Sequence, residues 1–307
     1  MINPELDAFL ADWNGKWARL KQGATPQERR AHFEIVASEM RLATPEDVST
    51  DRVEWTETPA GPVRSRIFRH KAGGTQACLI YLHGGAWMQG SPETHWDITA
   101  RIADWNRQTV ISVDYALTPE HPFPAALDQV NAVAKWAHDE AASLGIDPAR
   151  IAIGGDSAGG NLAAASTLDM RGSAVRYCAQ LLVYPACDFE HDRPSMIANA
   201  EAPLLQTRGM KAVNAMYSPD PAGLSNPRIA PLLAESHAGL PPAFVAVAEN
   251  DPLHDSGALY ARALEAAGVP VTFDEGEGLI HGYLRSMGYS PTAMAKFRAM
   301  AAWLSAF

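Results

Sequence analysis

Ile151-Ala152-Ile153-Gly154-Gly155-Asp156-Ser157-Ala158-Gly159-Gly160-Asn161 carries an apolar strand straight into Gly-x-Ser-x-Gly and on into small residues suited to a helix. A strand, a sharp turn and a helix around such a serine is the context of a nucleophile elbow. The turn leaves no room for side chains two positions before and two positions after the serine, where Gly155 and Gly159 stand. Ser157 is then expected at the carboxyl end of the strand, above a helix N-terminus whose free N–H groups favour developing negative charge. A phosphate-binding loop fits less well. There is no Gly-Lys-Ser/Thr ending, and the glycines are not spaced Gly-x-Gly-x-x-Gly.

Outward from this point, short apolar runs alternate with helical stretches. Strands are expected at 53–57, 63–68, 77–82, 109–113, 150–154, 177–184, 243–248 and 269–274, and helices at 93–106, 123–143, 158–170, 255–267 and 291–305. Continuous apolar strands such as Cys78-Leu79-Ile80-Tyr81-Leu82 belong to a parallel sheet covered on both faces, so the fold class is α/β. Residues 1–50 hold two helices before any strand, with Leu6, Phe9, Leu10, Trp13, Trp17 and Leu20 on one face. Thr25-Pro26-Gln27-Glu28 reads as the capped start of the second helix. Residues 186–240 interrupt the alternation and are rich in Pro, Asn, Asp and Ser, with helical patches near 207–217. The two segments are expected to form one cap over a catalytic domain spanning 51–307.

The 307 residues contain 25 basic and 35 acidic side chains, a formal net charge of −10, with no basic cluster. That balance argues against nucleic acid or an anionic membrane as partner. No apolar run approaches a membrane span. Three cysteines are too few for a disulfide framework, and the N-terminus carries acids where a signal peptide carries bases, so a cytoplasmic location is expected.

A second motif follows the strand at 77–82, namely His83-Gly84-Gly85-Ala86-Trp87. A small-residue loop at a strand end can bring backbone N–H groups up to the oxyanion of a tetrahedral intermediate. In the order nucleophile, acid, histidine, four histidines follow Ser157: His191, His237, His254 and His281. His281 is favoured because it follows the last strand and precedes Gly282. Asp251, just past the strand 243–248, is favoured as the acid. Glu249 is a lesser rival, and Asp255 is expected to cap the next helix. Asp156 is expected to be a structural hydrogen-bonding residue. No cluster has zinc spacing, and neither metal nor cofactor is expected.

His83-Gly84-Gly85-Ala86, Asp156-Ser157-Ala158-Gly159-Gly160, Asp251-Pro252-Leu253 and His281-Gly282-Tyr283, with the stretch Asp114–Ala125, resemble the hormone-sensitive-lipase-like bacterial carboxylesterases of the α/β-hydrolase superfamily. The resemblance covers about residues 60–300. It implies an α/β-hydrolase fold with a helical cap, Ser157 as nucleophile, Asp251 as orienting acid and His281 as general base. It implies Gly85, Ala86 and Ala158 as oxyanion-hole N–H donors, with Gly84 giving the loop its freedom. Two departures stand out. Ala86 replaces the third glycine, and its N–H is expected to serve if its φ stays negative. Ala116 replaces an arginine, which leaves Asp114 without an evident partner.

The reading is therefore a serine carboxylesterase acting on small-molecule, short-chain acyl esters. Trp87 is expected either in the substrate pocket or in packing. Related enzymes often dimerise, so a homodimer is open. Trp87 also satisfies the His-Gly-Gly-x-Trp of arylformamidases, which keeps an amidase-like hydrolase as the alternative. A non-catalytic receptor, as in the plant gibberellin receptors, is disfavoured because His281 is present. No strongly amphipathic lid helix points to an interfacial lipase.

Overall fold

A computed structural model describes all 307 residues. Two helices, α1 (Asp7–Trp17) and α2 (Pro26–Glu39), precede the sheet. Then come β1 (Val48–Thr56), β2 (Val63–His70), β3 (Gln76–Leu82), α3 (Trp96–Trp105), β4 (Thr109–Asp114), α4 (Ala125–Asp139), α5 (Ala141–Leu144), β5 (Ile146–Asp156) and α6 (Ala158–Met170). The chain continues through β6 (Gln180–Val183), α7 (Pro194–Ala198), α8 (Met210–Tyr217), β7 (Ala243–Ala246), α9 (His254–Ala266), β8 (Val271–Asp274) and α10 (Pro291–Leu304).

The eight strands form one sheet in the order β1-β2-β4-β3-β5-β6-β7-β8. The β1–β2 and β2–β4 pairs are antiparallel and the other five are parallel. Alternate residues of the apolar strands point to opposite faces. Ile80, Leu82, Ile111, Val113 and Ile153 join one core with α4 and α6, while Leu79, Tyr81, Val110, Ala152 and Phe244 join the other with α3 and α10. Helix α6 is buried almost all round, as its run of Ala, Gly and Leu requires of a central helix.

Sequence periodicity misplaces some element ends. β1 begins at Val48 rather than 53, because this edge strand exposes Asp51 and Arg52 and shows little apolar signal. The single helix expected over 123–143 is two, parted at Glu140. The cap of α2 forms as expected: Thr25 Oγ1 accepts from Glu28 N, and Glu28 Oε2 accepts from Thr25 N at 2.8 Å.

Strand order reverses at β3, with β4 on one side and β5 on the other. Ligands of open α/β sheets bind at the carboxyl ends of the strands where the order reverses. The loop 83–87 and Ser157 both lie there, at the ends of neighbouring strands β3 and β5. The N-terminal helices and the 186–217 part of the insertion lie on that same side, since both line the cavity over Ser157.

Candidate active site

Ser157 occupies the turn between β5 and α6 with φ 56° and ψ −118°, a conformation that L-residues rarely adopt. The two flanking glycines are required by space. A Cβ on Gly155 would strike Leu82 O, and one on Gly159 would strike Leu82 O and His83 O. The sharpness of the turn is thus set by how closely it packs on the end of β3.

Ser157 Oγ lies 2.9 Å from His281 Nε2, and His281 Nδ1 lies 2.7 Å from Asp251 Oδ2. A carboxylate beside Nδ1 calls for the tautomer with the proton there, which leaves Nε2 to accept from the serine hydroxyl. Asp251 is fully buried, and its other oxygen accepts from Leu253 N at 2.8 Å. A parallel bridge between Asn250 and Ile280 holds the two loops together. The rival residues are occupied elsewhere. Glu249 accepts from Gly278 N at 2.7 Å. His254 sits between Asp255 and Glu275. His237 contacts Pro231 O, and His191 contacts Asn214. Contrary to expectation, Asp255 does not cap α9. It lies inside the first turn, and its carboxylate accepts from Ser195 N instead.

The loop after β3 corrects two expectations. The N–H of Gly84 is occupied, donating to Asp156 Oδ1 at 3.0 Å with His95 Nε2 at 3.1 Å. Gly84 is also not in the left-handed region. A Cβ there would meet the Asp156 carboxylate, so the position requires absence of bulk rather than freedom. Ala86 has φ +55°, not the negative value expected, and Trp87 follows at +54°. A left-handed turn results, in which Gly85 O accepts from Met88 N and Gln89 N, each at 3.1 Å. Tyr115 Oη donates to His83 O at 2.6 Å, Thr118 N to Trp87 O at 2.9 Å and Arg30 Nε to Met88 O at 2.7 Å. Gly85 N and Ala86 N find no acceptor in the protein, so Ala86 N stays free to donate although its φ is positive, against the condition the sequence suggested. Ala158 N, at the first position of α6, has none within its helix.

Behind the loop lies a buried polar group that sequence reading left mostly unassigned. Asp156 is structural as expected, accepting from Tyr81 Oη at 2.8 Å as well as from Gly84. Burial alone would raise its carboxyl, but Arg285 and the Tyr81 hydroxyl are among the groups that outweigh burial and hold it well below the usual carboxylate range. Burial pushes His95 below its ordinary value. Its Nε2 accepts from Arg285 Nη2 at 2.7 Å, which fixes the neutral ring with its proton on Nδ1, facing Thr94 Oγ1. Burial likewise brings His83 down to about 3, and its ring stacks on Tyr115 at 4.2 Å. Neither His95 nor Arg285 sits in a motif. They meet only through the fold, 190 residues apart. Asp114 has its partner in Arg64, at 2.9 Å across the β2–β4 register.

Above Ser157 opens a cavity of about 950 Å³. Trp13, Trp17 and Phe33 of the N-terminal helices form one wall, and Phe189, Leu205 and Met210 of the insertion another. Trp87 lines the cavity and is also packed, stacking on Tyr217 with centroids 4.3 Å apart. Asp47, His70 and Asp104 form a separate cluster whose ligand atoms approach one another, at the opposite end of the sheet beside the start of β4. Nδ1 of His70 accepts from Ala72 N, so in the neutral ring the proton is on Nε2 and no lone pair is free for a metal.

The profile of the alpha/beta hydrolase fold matches residues 79–285. The chain belongs to this family. Within it, this α/β-hydrolase is of the hormone-sensitive-lipase-like kind. It is 40% identical to esterase LipI of Mycobacterium tuberculosis over 243 residues, 76% of this chain and 75% of that one. It is 36% identical to the ethyl acetate hydrolase of Pseudomonas putida over 211 residues, 68% of this chain and 66% of that one. An ester hydrolase from the metagenome of Lake Arreo, solved with a bipyridine phosphonate derivative, superposes with a TM-score of 0.91 at 34% identity, covering 100% of this hydrolase and 99% of that chain. No helix is long and apolar enough to cross a membrane.

Proposed function

We propose that this protein is a serine carboxylesterase that cleaves short-chain acyl esters through a Ser157-His281-Asp251 triad. The observation that carries the reading is the unbroken hydrogen-bonded chain from Ser157 Oγ to a buried carboxylate, set beside a loop with unpaired N–H groups. His281 takes the Ser157 proton as Oγ attacks the ester carbonyl, and Asp251 holds the ring and stabilises the imidazolium. The N–H groups of Gly85, Ala86 and Ala158 receive the oxyanion, each worth roughly 2.7–4 kcal/mol at the transition state. The alcohol leaves with the proton from His281. Water then attacks the acyl-enzyme by the same steps, releasing the acid and restoring Ser157.

The preference for short acyl chains leans on the relative named for ethyl acetate. Residues 1–50 and part of 186–240 act as a helical cap on the catalytic domain 51–307, because both enclose the cavity. Three unpaired cysteines, two of them buried, suit a reducing cytoplasmic setting.

Hydrolysis of 4-nitrophenyl esters from acetyl to palmitoyl, with Ser157→Ala as control, tests the reading. The expected result is a maximum at short chains that is lost in the variant. A long-chain maximum would point to a lipase. A folded protein inert on every ester would move the reading to another acyl substrate, such as a formamide.

A further inference from the structure

The cavity over Ser157 is positively charged in a chain that is negative overall. Its acidic residues, Asp156 and Asp188, are both engaged, the first by Tyr81 and Gly84 and the second by Arg193. Of its basic residues, Lys21 pairs with Glu28, and Arg208 is exposed. Arg29 and Arg285 are half-buried and form no salt bridge. They flank the Trp13, Trp17 and Phe33 rings, with Arg29 4.8 Å from the Trp17 centroid and Arg285 4.6 Å from that of Phe33.

The two guanidiniums differ in how they are held. Arg285 gives both terminal nitrogens to the protein, one to Thr94 O and one to His95. Arg29 gives only Nε, to Gln89 Oε1 at 2.8 Å. Its two terminal nitrogens have no partner in the protein and are not sealed from solvent, and the residue lines the cavity. Burial lowers the Arg29 pKa, and no acidic side chain pairs with it to offset that. Gln89 Cγ lies 3.2 Å from where a Gly85 Cβ would stand, so the path through Gln89 puts Arg29 Nε within about 10 Å of Gly85. A carboxylate several carbons from a carbonyl bound at Gly85 falls within that reach. With a net charge of −10, the chain as a whole repels such a group, so its capture needs local cations of this kind.

We propose that the substrates are esters bearing a carboxylate or similar anion, and that Arg29 is the residue that receives it. The proposal rests on the esterase reading of the same site. Its test compares mono-4-nitrophenyl adipate with 4-nitrophenyl hexanoate, which differ by the terminal carboxylate. The expected ratio of kcat/KM values favours the adipate at least fivefold, shrinks with added salt, and falls at least tenfold in Arg29→Gln, with Arg29→Lys between. A ratio at or below one, or one that Arg29→Gln leaves unchanged, overturns the proposal and makes Arg29 a brace for Trp17. A second measurement does not depend on turnover. Calorimetric titration of Ser157→Ala with adipate should show binding that Arg29→Gln weakens at least tenfold, and equal binding by both proteins would overturn the proposal. Loss of turnover on both esters by folded wild-type protein would instead sink the esterase reading, and the adipate titration would still decide this one.

Discussion

The N–H of Gly84 donates to the carboxylate of Asp156, the residue immediately before the proposed nucleophile, at 3.0 Å. One carboxylate therefore joins the end of β5 to the loop after β3. The elbow and the proposed oxyanion donors are held in register by a hydrogen bond rather than by loop packing alone. Arg285 and His95 stand behind the same bond, so the last third of the chain also bears on it.

Asp156→Ala should leave the buried Tyr81 Oη without an acceptor and Gly84 N with His95 Nε2 alone. Leaving a buried donor unpaired costs about 1–3 kcal/mol. The expected outcome is a soluble protein with lowered melting temperature and kcat down at least tenfold, while Asp156→Asn retains more of both. Thermal melts beside steady-state kinetics check this. Unaltered kcat in Asp156→Ala would show that the loop holds its shape unaided.

Ala86 is an L-residue in the left-handed region at φ +55°. Such a residue costs about 1–2 kcal/mol relative to its ordinary conformation, a cost glycine avoids. Ala86→Gly should therefore raise stability by up to about 1 kcal/mol with activity retained. Ala86→Val, whose branched side chain fits the region worse, should lower both. Chemical denaturation of the three proteins measures the first effect and ester turnover the second.

Asp251→Asn keeps the shape but presents an amide to His281 Nδ1, which favours the wrong tautomer. In a serine protease of the same logic this substitution costs about 10⁴ in kcat. A drop of that order is expected here, with a melting temperature close to wild type. Ser157→Ala should lose roughly 10⁶. An Asp251→Asn protein within tenfold of wild type would mean that another group orients His281.

Much of the site was legible because its requirements are local. Ser157 needs glycines two residues either side, and the fold confirms that neither has room for a side chain. His281 and Asp251 follow from chain order and from lying at strand ends. What was not legible depends on distant packing. Gly84 looks like a hinge in sequence, yet its constraint comes from Asp156, 72 residues away. The sign of φ at Ala86 is set by a left-handed turn pinned by Tyr115, Thr118 and Arg30. The partner of Asp114 depends on the antiparallel β2–β4 register, which no local pattern encodes. Edge strand β1 was drawn short for a related reason, since a half-exposed strand shows weak apolar alternation.

Acid stability should report on Glu93, which lies two residues before His95. Arg64 and Arg66 grip its carboxylate at 2.6 and 2.8 Å, and Arg64 also holds Asp114. Burial opposes ionisation, but the two arginines prevail and bring Glu93 down to about 2 from an ordinary value of 4.5. The folded-state value lies below the unfolded one. The linkage therefore stabilises the fold fully above about pH 4.5 and is lost as pH falls toward 2. That shift corresponds to at most about 3 kcal/mol. The carboxylate is one-quarter exposed, and solvent screening reduces the expected effect to about 1–2 kcal/mol. Glu93→Gln should accordingly be destabilised by that amount at pH 7, and the gap to wild type should close as the pH approaches 2. Urea denaturation of both proteins across this range checks it, and a gap that stays constant with pH would show that Glu93 acts through packing rather than charge.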